Sequence, residues 1–357
     1  MAVPADGRST WLAACQRIGL SPENLPAGMG QPAVASPNPF GVFISRQDPA
    51  ASSEIVAAAK SLGAGWVRIN VDLGSDSPDY TKFLDAGINV VLMVSNQDPN
   101  NIVRTYGSPK EWIHAGFPFQ SQDKYQQEIR TLLQPAPSSI AQARQVWVQA
   151  ENEVFDASLD PRAIYWRGTE DQYLVQLQAH YEAVKSVDTR IPVVLTSFAS
   201  ANLDALREPG NPNHQGVLAH VTTLLTRGKY DAIDLHFYGC VENIPAKVRA
   251  VQALLPAGRS VAWISTENGG PDPRCKTTPL SWKDDLTKFE QEQARQVPLR
   301  LAACADNGGS VCLWFSLFDL LKSDDVFSHL GLLDQGATPP RKEPASAAFE
   351  TFVAQPK

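Results

Sequence analysis

The sequence predicts a single (β/α)8 barrel (TIM barrel), an α/β fold in which parallel strands alternate with helices. From Phe40 onward an apolar run is followed by a turn and an amphipathic segment, and this cycle repeats to the end of the chain. Several runs are almost wholly apolar, such as residues 89–94, which is typical of strands covered on both faces. No glycine-rich dinucleotide loop follows the first strand, which disfavours the open, doubly wound sheet that gives a similar pattern.

Eight segments carry the strand pattern, and polar or glycine-containing turns separate them. Their predicted bounds are Phe40 to Ser45, Trp66 to Leu73, Asn89 to Ser95, Gln145 to Ala150, Pro192 to Ser197, Ala232 to Phe237, Val261 to Thr266 and Val311 to Phe315.

The intervening segments carry helix signals. A helix over residues 50–62 is predicted to end at Gly63, because glycine readily adopts the left-handed conformation that closes a helix. The pattern Thr169-x-x-Gln172 predicts a capping box at the start of another helix. Pro298 is expected to kink or split the helix before the last strand, and a helix near residues 345–353 is expected to close the ring.

Composition limits the kinds of partner. Of 357 residues, 31 are Lys or Arg and 38 are Asp or Glu, so the formal charge of -7 disfavours a nucleic-acid partner. No stretch has the roughly 18 consecutive apolar residues that a membrane span needs. Residues 1–37, rich in Pro, Gly and Ala, are interpreted as an N-terminal extension, and residues 38–357 as the barrel domain. The extension lacks the apolar core of a secretory signal, so the compartment stays open, with a lean towards secretion after removal of a signal.

The five cysteines show neither a C-x-x-C pair nor a zinc spacing with the six histidines, so we expect no metal site and no cofactor. Cys304 and Cys312 lie in apolar surroundings and are interpreted as buried small hydrophobic residues rather than reactive thiols. Cys240 and Cys275 each follow a predicted strand at the same rim. A disulfide between them is an open alternative.

Polar residues at the carboxyl ends of the strands are the candidate site residues, because that end of a barrel carries the functional groups. Glu153 follows the fourth strand and Glu267 the seventh, so the two glutamates should face each other across the barrel mouth. Either one alone would be interpreted as a solvated or helix-capping carboxylate. Glu151 has the same strand parity as Glu153, but only Glu153 follows an asparagine, Asn152.

Two opposed carboxyl groups are what the cleavage of an acetal requires, namely a proton donor for the leaving oxygen and a carboxylate at the developing oxocarbenium centre. Other polar and aromatic residues end the second, sixth and eighth strands. They are Arg68, His236, Tyr238 and Trp314.

In this combination the chain resembles the glycoside hydrolases of clan A, and within that clan families 39 and 5, from Phe40 to Val353. The resemblance rests on Asn152-Glu153 after strand four and on Glu267 after strand seven, together with the residues at the other strand ends and the closing segment 327–334. It implies a retaining β-glycosidase acting on a carbohydrate, with Glu153 as acid/base and Glu267 as nucleophile. One departure is that Ser95-Asn96-Gln97 ends strand three, where family 5 members carry a histidine.

The resemblance also implies roles for the surrounding residues. Arg68 and Tyr238 would hold Glu267 as the anion, and Asn152 would bind the sugar 2-hydroxyl. Trp314 would form an apolar floor under the sugar, or simply pack in the barrel wall. His236 would act at the site or only fix its neighbours, and Trp166 would stack on an outer sugar or anchor its own loop.

Two rival interpretations stay open at this stage. One is a barrel that binds carbohydrate without catalysis, and the other is an unrelated barrel enzyme with a glutamate base. The second rival usually needs a lysine, a metal cluster or a phosphate-binding loop at the last strands, and Gly308-Gly309 lies at the wrong end of strand eight for such a loop. The sugar, internal or terminal cleavage, hydrolysis or transfer, and the oligomeric state are not distinguished.

Overall fold

The structure is a computed structural model that describes residues 38–355 except for 46–51, 113, 156–164, 276–279, 321–324, 335–340 and 343. The predicted N-terminal extension, residues 1–37, lies outside the described residues.

The predicted closed barrel is confirmed. Its strands follow one another around the ring in chain order, each parallel to its neighbours, and β1 pairs with β8 to close it. The bounds agree with the predicted ones to within two residues. The strands are β1 (Phe40–Ile44), β2 (Trp66–Asp72), β3 (Asn89–Ser95), β4 (Val146–Ala150), β5 (Val193–Phe198), β6 (Ala232–Leu235), β7 (Ala262–Asn268) and β8 (Val311–Trp314). A two-stranded antiparallel pair, β9 (Leu333–Asp334) and β10 (Arg341–Lys342), follows them.

Helices lie between the strands and cover the outer face of the barrel. They are α1 (Ser53–Ser61), α2 (Thr81–Asp85), α3 (Gln122–Leu133), α4 (Ala136–Ala141), α5 (Glu170–Val187), α6 (Ser200–Arg207), α7 (His214–Arg227), α8 (Ile244–Gln252), α9 (Leu286–Asp306) and α10 (Pro344–Val353). Within the described ranges, no helix combines the length and the apolar character that crossing a bilayer would require.

The local signals for helix ends are confirmed at two positions. The Thr169 side chain accepts from the backbone N–H of Gln172, whose own side chain accepts from the Thr169 N–H, so the capping box forms. Gly63 follows α1 with φ of 75°. The expected split at Pro298 does not occur, because α9 continues through it. A proline removes only one backbone hydrogen bond, and burial of Val297 and Leu301 holds the helix on both sides.

Alternation along the strands sorts side chains into two layers. The interior of the barrel is filled at its lower end by Trp66, Val91, Trp147, Val194, Ala232, Ile264, Val311 and Leu313. Trp66 and Trp147 meet edge to face there, with ring centroids 6.0 Å apart. On several strands the residue two positions further along points into the same interior, closer to the mouth, and is polar, as are Arg68 on β2 and Asp234 on β6.

The described part of the chain contains two disulfides. Cys240 and Cys275 are bonded, so the bridge left open in the sequence analysis joins the loops after β6 and β7. Cys304 is bonded to Cys312, and the interpretation of these two as unbonded hydrophobic residues is wrong. Both are fully buried, as expected, but the end of α9 and the start of β8 lie side by side, so the two Cα atoms are only 6.0 Å apart.

Candidate active site

Glu153 lies on a tight turn that leaves the carboxyl end of β4. Glu151 and Glu153 both have positive φ angles, 63° and 36°, a backbone region that disfavours residues with side chains. Hydroxyl groups of β5 hold this turn, because the backbone N–H of Glu153 donates to Ser197 Oγ at 3.1 Å and that of Val154 to Thr196 Oγ1 at 3.2 Å. The neighbouring strand therefore fixes the position from which Glu153 reaches the mouth.

Glu267 lies at the end of β7, where the pairing with β8 shifts register between Ser265 and Asn268. Such an irregularity re-aims side chains, so that both Thr266 and Glu267 contact groups inside the barrel. Arg68 Nη1 donates to Glu267 Oε1 at 2.8 Å, and the Tyr238 hydroxyl donates to Glu267 Oε2 at 2.8 Å. Both carboxylate oxygens are thus engaged by strong donors.

The two glutamates meet at one mouth. A carboxylate oxygen of Glu153, a ring nitrogen of His236 and a carboxylate oxygen of Glu267 all lie within 4.8 Å of one another. His236 Nδ1 is 2.7 Å from Glu153 Oε1 and 3.5 Å from Glu267 Oε2. The side chains of Glu153 and Glu267 retain 12% and 13% exposure, so both can be reached from solvent.

Arg68 connects the two halves of the site. Its side chain is 2% exposed, and Nη2 donates to Asn152 Oδ1 at 2.8 Å while Nη1 holds Glu267. Ser197 Oγ donates to the same Asn152 oxygen at 3.0 Å. Because Oδ1 already accepts two hydrogen bonds, the amide NH2 of Asn152 is the group left to interact with a ligand.

The pKa values of His236, Tyr238 and Asp234 are shifted because these three groups are buried among charged neighbours. Burial opposes the charge on His236, but the carboxylates of Glu267 and Asp234 outweigh it and raise the pKa of His236 to about 10. Burial, and next the Glu267 carboxylate, raise the pKa of Tyr238 well above its usual value, so its hydroxyl stays a donor. Burial favours the neutral form of Asp234, yet His236 and Arg68 keep the pKa of Asp234 below its usual value.

Glu153, His236 and Glu267 have donor atoms near enough to one another to be considered as metal ligands. The hydrogen bonds that surround Glu267 favour a function other than metal binding. The Arg68 guanidinium and the Tyr238 hydroxyl occupy both oxygens of Glu267 with hydrogen-bond donors. A carboxylate held in this way is stabilised as a free anion by protein groups.

Trp314 is not placed where a sugar floor would require it. Its side chain is fully buried among residues of the outer layer, and its indole N–H donates to the Leu330 carbonyl at 2.8 Å. On β8 the interior residues are Val311 and Leu313, so strand alternation brings Phe315, not Trp314, to the interior face. Packing in the barrel wall, the alternative interpretation, describes Trp314.

Phe315 is the aromatic residue that the mouth presents instead. It stacks on Phe43 with ring centroids 4.7 Å apart and meets Tyr238 edge to face at 6.0 Å. Phe327 contacts Tyr238 and Phe315 in turn, at 5.0 Å and 5.8 Å. An apolar wall therefore borders the Glu267 side of the site.

Trp166 anchors its own loop. It is 5% exposed, its indole N–H donates to the Thr169 carbonyl at 3.1 Å, and its ring meets Tyr173 edge to face. Glu151 is also directed away from the mouth, since its carboxylate accepts from the Asn96 N–H and from Gln176. The choice of Glu153 over Glu151 agrees with this geometry.

Three further polar residues belong to this site and were not predicted from the sequence, namely Ser197, Asp234 and Thr266. Asp234 lies two residues before His236, which is the spacing that places both on one face of a strand. This spacing could therefore have identified Asp234 from the sequence. The contribution of Thr266 depends on the register shift in β7, which the sequence does not reveal.

No family model and no curated protein sequence matches the chain. Solved structures with the same fold include an endo-β-1,3-glucanase of glycoside hydrolase family 128 from Amycolatopsis mediterranei in complex with laminaripentaose. It is 17% identical with a TM-score of 0.51, and the match covers 88% of this chain and 99% of that one.

Two others are a family 39 glycoside hydrolase from Bacteroides cellulosilyticus and a family 5 endoglucanase from Clostridium longisporum. The first is 13% identical, with a TM-score of 0.53 over 90% of this chain and 65% of that one. The second is 10% identical, with a TM-score of 0.54 over 87% and 88%. At these identities the likeness shows the fold: the chain has the (β/α)8 barrel that glycoside hydrolases of clan A share.

Proposed function

We propose that the protein is a retaining glycoside hydrolase that cleaves β-glycosidic bonds of oligo- or polysaccharides by double displacement. The observation that carries the proposal is the approach of Glu153 and Glu267, which bring carboxylate oxygens within 4.8 Å of each other at one mouth. Retaining enzymes hold their carboxyl groups about 5 to 5.5 Å apart, whereas inverting enzymes need roughly 6.5 to 9.5 Å to admit a water molecule. Oxygens this close leave little space for a water molecule between the two carboxylates, which favours retention.

Glu267 is the proposed nucleophile. A nucleophilic carboxylate must be ionised, and the two donors Arg68 and Tyr238 favour that form. Attack by Glu267 on the anomeric carbon forms a glycosyl-enzyme ester as the bond to the leaving oxygen breaks. Water then attacks the same carbon and displaces Glu267 with a second inversion, which restores the configuration.

Glu153 is the proposed acid/base. It has one oxygen against His236 Nδ1 and lies across the mouth from the nucleophile. In the first step its proton passes to the leaving oxygen, and in the second its carboxylate accepts a proton from the attacking water. Asn152 would donate through its amide NH2 to the sugar 2-hydroxyl, a contact that strengthens in the transition state.

The nature of the substrate is supported by the structural neighbours. The Amycolatopsis enzyme is described as an endo-β-1,3-glucanase bound to a laminarin oligosaccharide, and the other two as glycoside hydrolases. A β-linked carbohydrate is therefore the proposed substrate class. The two disulfides support an oxidising compartment, and hence secretion.

The test is a screen of aryl β-glycosides and β-linked oligosaccharides, with the product anomer followed by proton NMR. We expect the first-formed product to keep the β configuration. Glu267→Gln should abolish turnover, whereas Glu153→Gln should spare substrates with good leaving groups, because these need no proton. A 2-deoxy-2-fluoro glycoside should label Glu267, as read by peptide mass spectrometry.

Glu151→Gln is the matched control, since Glu151 lies next to the site but faces the outer layer. Its activity should equal that of the unmodified protein. Full turnover in Glu267→Gln, or an α product, would overturn the assignment. Oligosaccharide binding without any cleavage would instead identify a carbohydrate-binding barrel.

A further inference from the structure

A buried carboxylate lies beneath the proposed catalytic pair. Asp234 is on β6, two residues before His236, and its side chain is 0% exposed. It has no access to a substrate, because His236 and Thr266 lie between it and the mouth. Burying a carboxylate is costly unless its oxygens are satisfied, so its contacts indicate what it does.

Both oxygens of Asp234 are saturated. Oδ1 accepts from the backbone N–H of Thr266 at 2.9 Å. Oδ2 accepts from Gln149 Nε2 at 3.0 Å and from the Thr266 hydroxyl at 2.5 Å, and it lies 3.3 Å from His236 Nε2. The carboxylate is therefore held as an anion against the inner nitrogen of the histidine.

These contacts determine where the proton of His236 resides. The Thr266 hydroxyl has a single proton and donates it to Asp234, so its oxygen is an acceptor towards His236 Nε2, 3.2 Å away. Arg68 Nη1 also lies 3.3 Å from Nε2, but it has only two N–H groups, and these are taken by the nearer Thr266 Oγ1 at 2.9 Å and Glu267 Oε1 at 2.8 Å. Nothing is left to donate to Nε2 from these neighbours, so Nε2 itself carries a proton.

The other ring nitrogen, Nδ1, faces the acid/base Glu153 at 2.7 Å. We propose that Asp234 is a positioning residue for the acid/base: through Thr266 and His236 it fixes a proton on Nε2 and stabilises a cationic His236, so that Nδ1–H donates to Glu153 and makes it a stronger acid. The proposal rests on the proposed function of Glu153 as proton donor.

The charges that face His236 come from several strands. Arg68 lies on β2, Glu153 follows β4 and Glu267 lies on β7. Asp234 lies on β6, the strand that leads into His236, and Tyr238 comes two residues after His236. Burial works against the cation, while Glu267, Asp234 and Glu153 favour it. Removing the charge of Asp234 takes away one of these contributions and leaves the rest in place.

Asp234→Asn keeps the size of the side chain and removes the charge. We expect kcat on substrates with poor leaving groups to fall by about 10- to 100-fold, because positioned general acids contribute on the order of 10²-fold or more. KM should stay unchanged, since Asp234 touches no substrate, and activated aryl glycosides should be spared. The basic limb of the kcat/KM profile should move to higher pH, because Glu153 without a cationic neighbour holds its proton longer.

A double-mutant cycle separates this role from a merely structural one. If Asp234 acts through His236, the combined effect of Asp234→Asn and His236→Asn on kcat should equal that of His236→Asn alone. Additive effects, or a loss expressed in KM, would overturn the proposal. Asp231→Asn is the matched control, because Asp231 precedes the same strand but pairs with Lys185 at the far end of the barrel. It should leave kcat and the pH profile unchanged.

A readout independent of activity keeps this proposal distinct from the proposed function. Histidine labelled with 15N reports both ring nitrogens by NMR, and His236→Asn identifies the signal. In the unmodified protein we expect Nε2 to be protonated throughout, and in Asp234→Asn the ring should lose its second proton at lower pH. Should Asp234→Asn fail to fold, Thr266→Val removes the intermediate hydroxyl and should shift the titration the same way. An unchanged titration in either folded variant refutes the role of Asp234, whether or not the protein cleaves glycosides.

Discussion

Arg68 and Glu267 form an ion pair of 2.8 Å whose side chains are only 2% and 13% exposed. The same guanidinium reaches Asn152 through its second terminal nitrogen, so one residue positions the proposed nucleophile and the candidate ligand for the 2-hydroxyl. Arginine offers a rigid fork of donors, whereas lysine is a point charge on a flexible chain. Arg68→Lys should therefore keep the charge but lose the geometry.

We expect Arg68→Lys to lower kcat/KM by about 100-fold or more, since breaking a buried pair costs roughly 3 to 5 kcal/mol and each 1.4 kcal/mol is a factor of ten. Initial rates on an aryl β-glycoside measure it, and circular dichroism checks the fold. Activity within a factor of two of the unmodified protein would show that the pair does not support the nucleophile.

The amide of Asn152 is oriented by its two donors, Arg68 and Ser197, which both contact Oδ1. Its NH2 group should therefore donate to the sugar, and Asn152→Ala should lower kcat/KM by on the order of 100-fold, in line with the several kcal/mol assigned to 2-hydroxyl contacts. The discriminating substrate is the 2-deoxy glycoside, on which the variant and the unmodified protein should be similar. An equal loss on both substrates would place the effect of Asn152 elsewhere.

Phe315 and Trp314 are adjacent in sequence but face opposite layers, which allows a paired test. Phe315→Leu keeps apolar bulk and removes the aromatic face beside Tyr238, so KM should rise by up to about tenfold, as an aromatic contact is worth about 0.5 to 1.5 kcal/mol. Trp314→Phe removes the hydrogen bond to Leu330 and should lower the melting temperature without changing KM. A rise in KM for Trp314→Phe, with no rise for Phe315→Leu, would instead support Trp314 as the residue beneath the sugar.

The contrast between these two residues shows how far the sequence predicts the site. Glu153 and Glu267 could be found because each follows an apolar strand whose end marks the mouth. The expected role of Trp314 rests on the resemblance to clan A, whereas counting in steps of two from Val311 leads to Phe315 as the interior residue. That information was present in the sequence.

Other features depend on three-dimensional proximity and had no local signal. The bond between Cys304 and Cys312 requires that the end of α9 lies beside the start of β8, which only the closed barrel brings about. The register shift after Ser265 likewise emerges from strand pairing. Such tertiary constraints override local patterns, so the fold and the meeting of Glu153 and Glu267 at one mouth were predictable, whereas the Cys304–Cys312 bond and the contacts of Thr266 were not.

His180 provides a stability prediction that is independent of the catalytic site. It lies on α5, is fully buried, and contacts the Tyr125 hydroxyl through Nδ1 at 3.0 Å. Among the described residues, its Nε2 has no hydrogen-bond partner. Burial lowers the pKa of His180 to about 3, so the ring is neutral in the folded protein at ordinary pH.

The sign of the pH effect follows from proton uptake. An unfolded histidine takes up a proton near pH 6.5, whereas His180 in the folded protein does so only near its lowered pKa. Between these values the unfolded state binds more protons, so this contribution to stability is present above about pH 6.5 and is lost as the pH falls. At about pH 5 the loss should be about 2 kcal/mol.

His180→Gln removes the titrating group and keeps a polar partner for Tyr125. Urea unfolding at about pH 7 and about pH 5 should show a smaller drop in the free energy of unfolding for this variant than for the unmodified protein, by about 2 kcal/mol. His114→Gln, at an exposed histidine, should retain the full drop. Equal drops for all three proteins would mean that His180 is protonated in the folded state, and its burial would then need a compensating acceptor at Nε2.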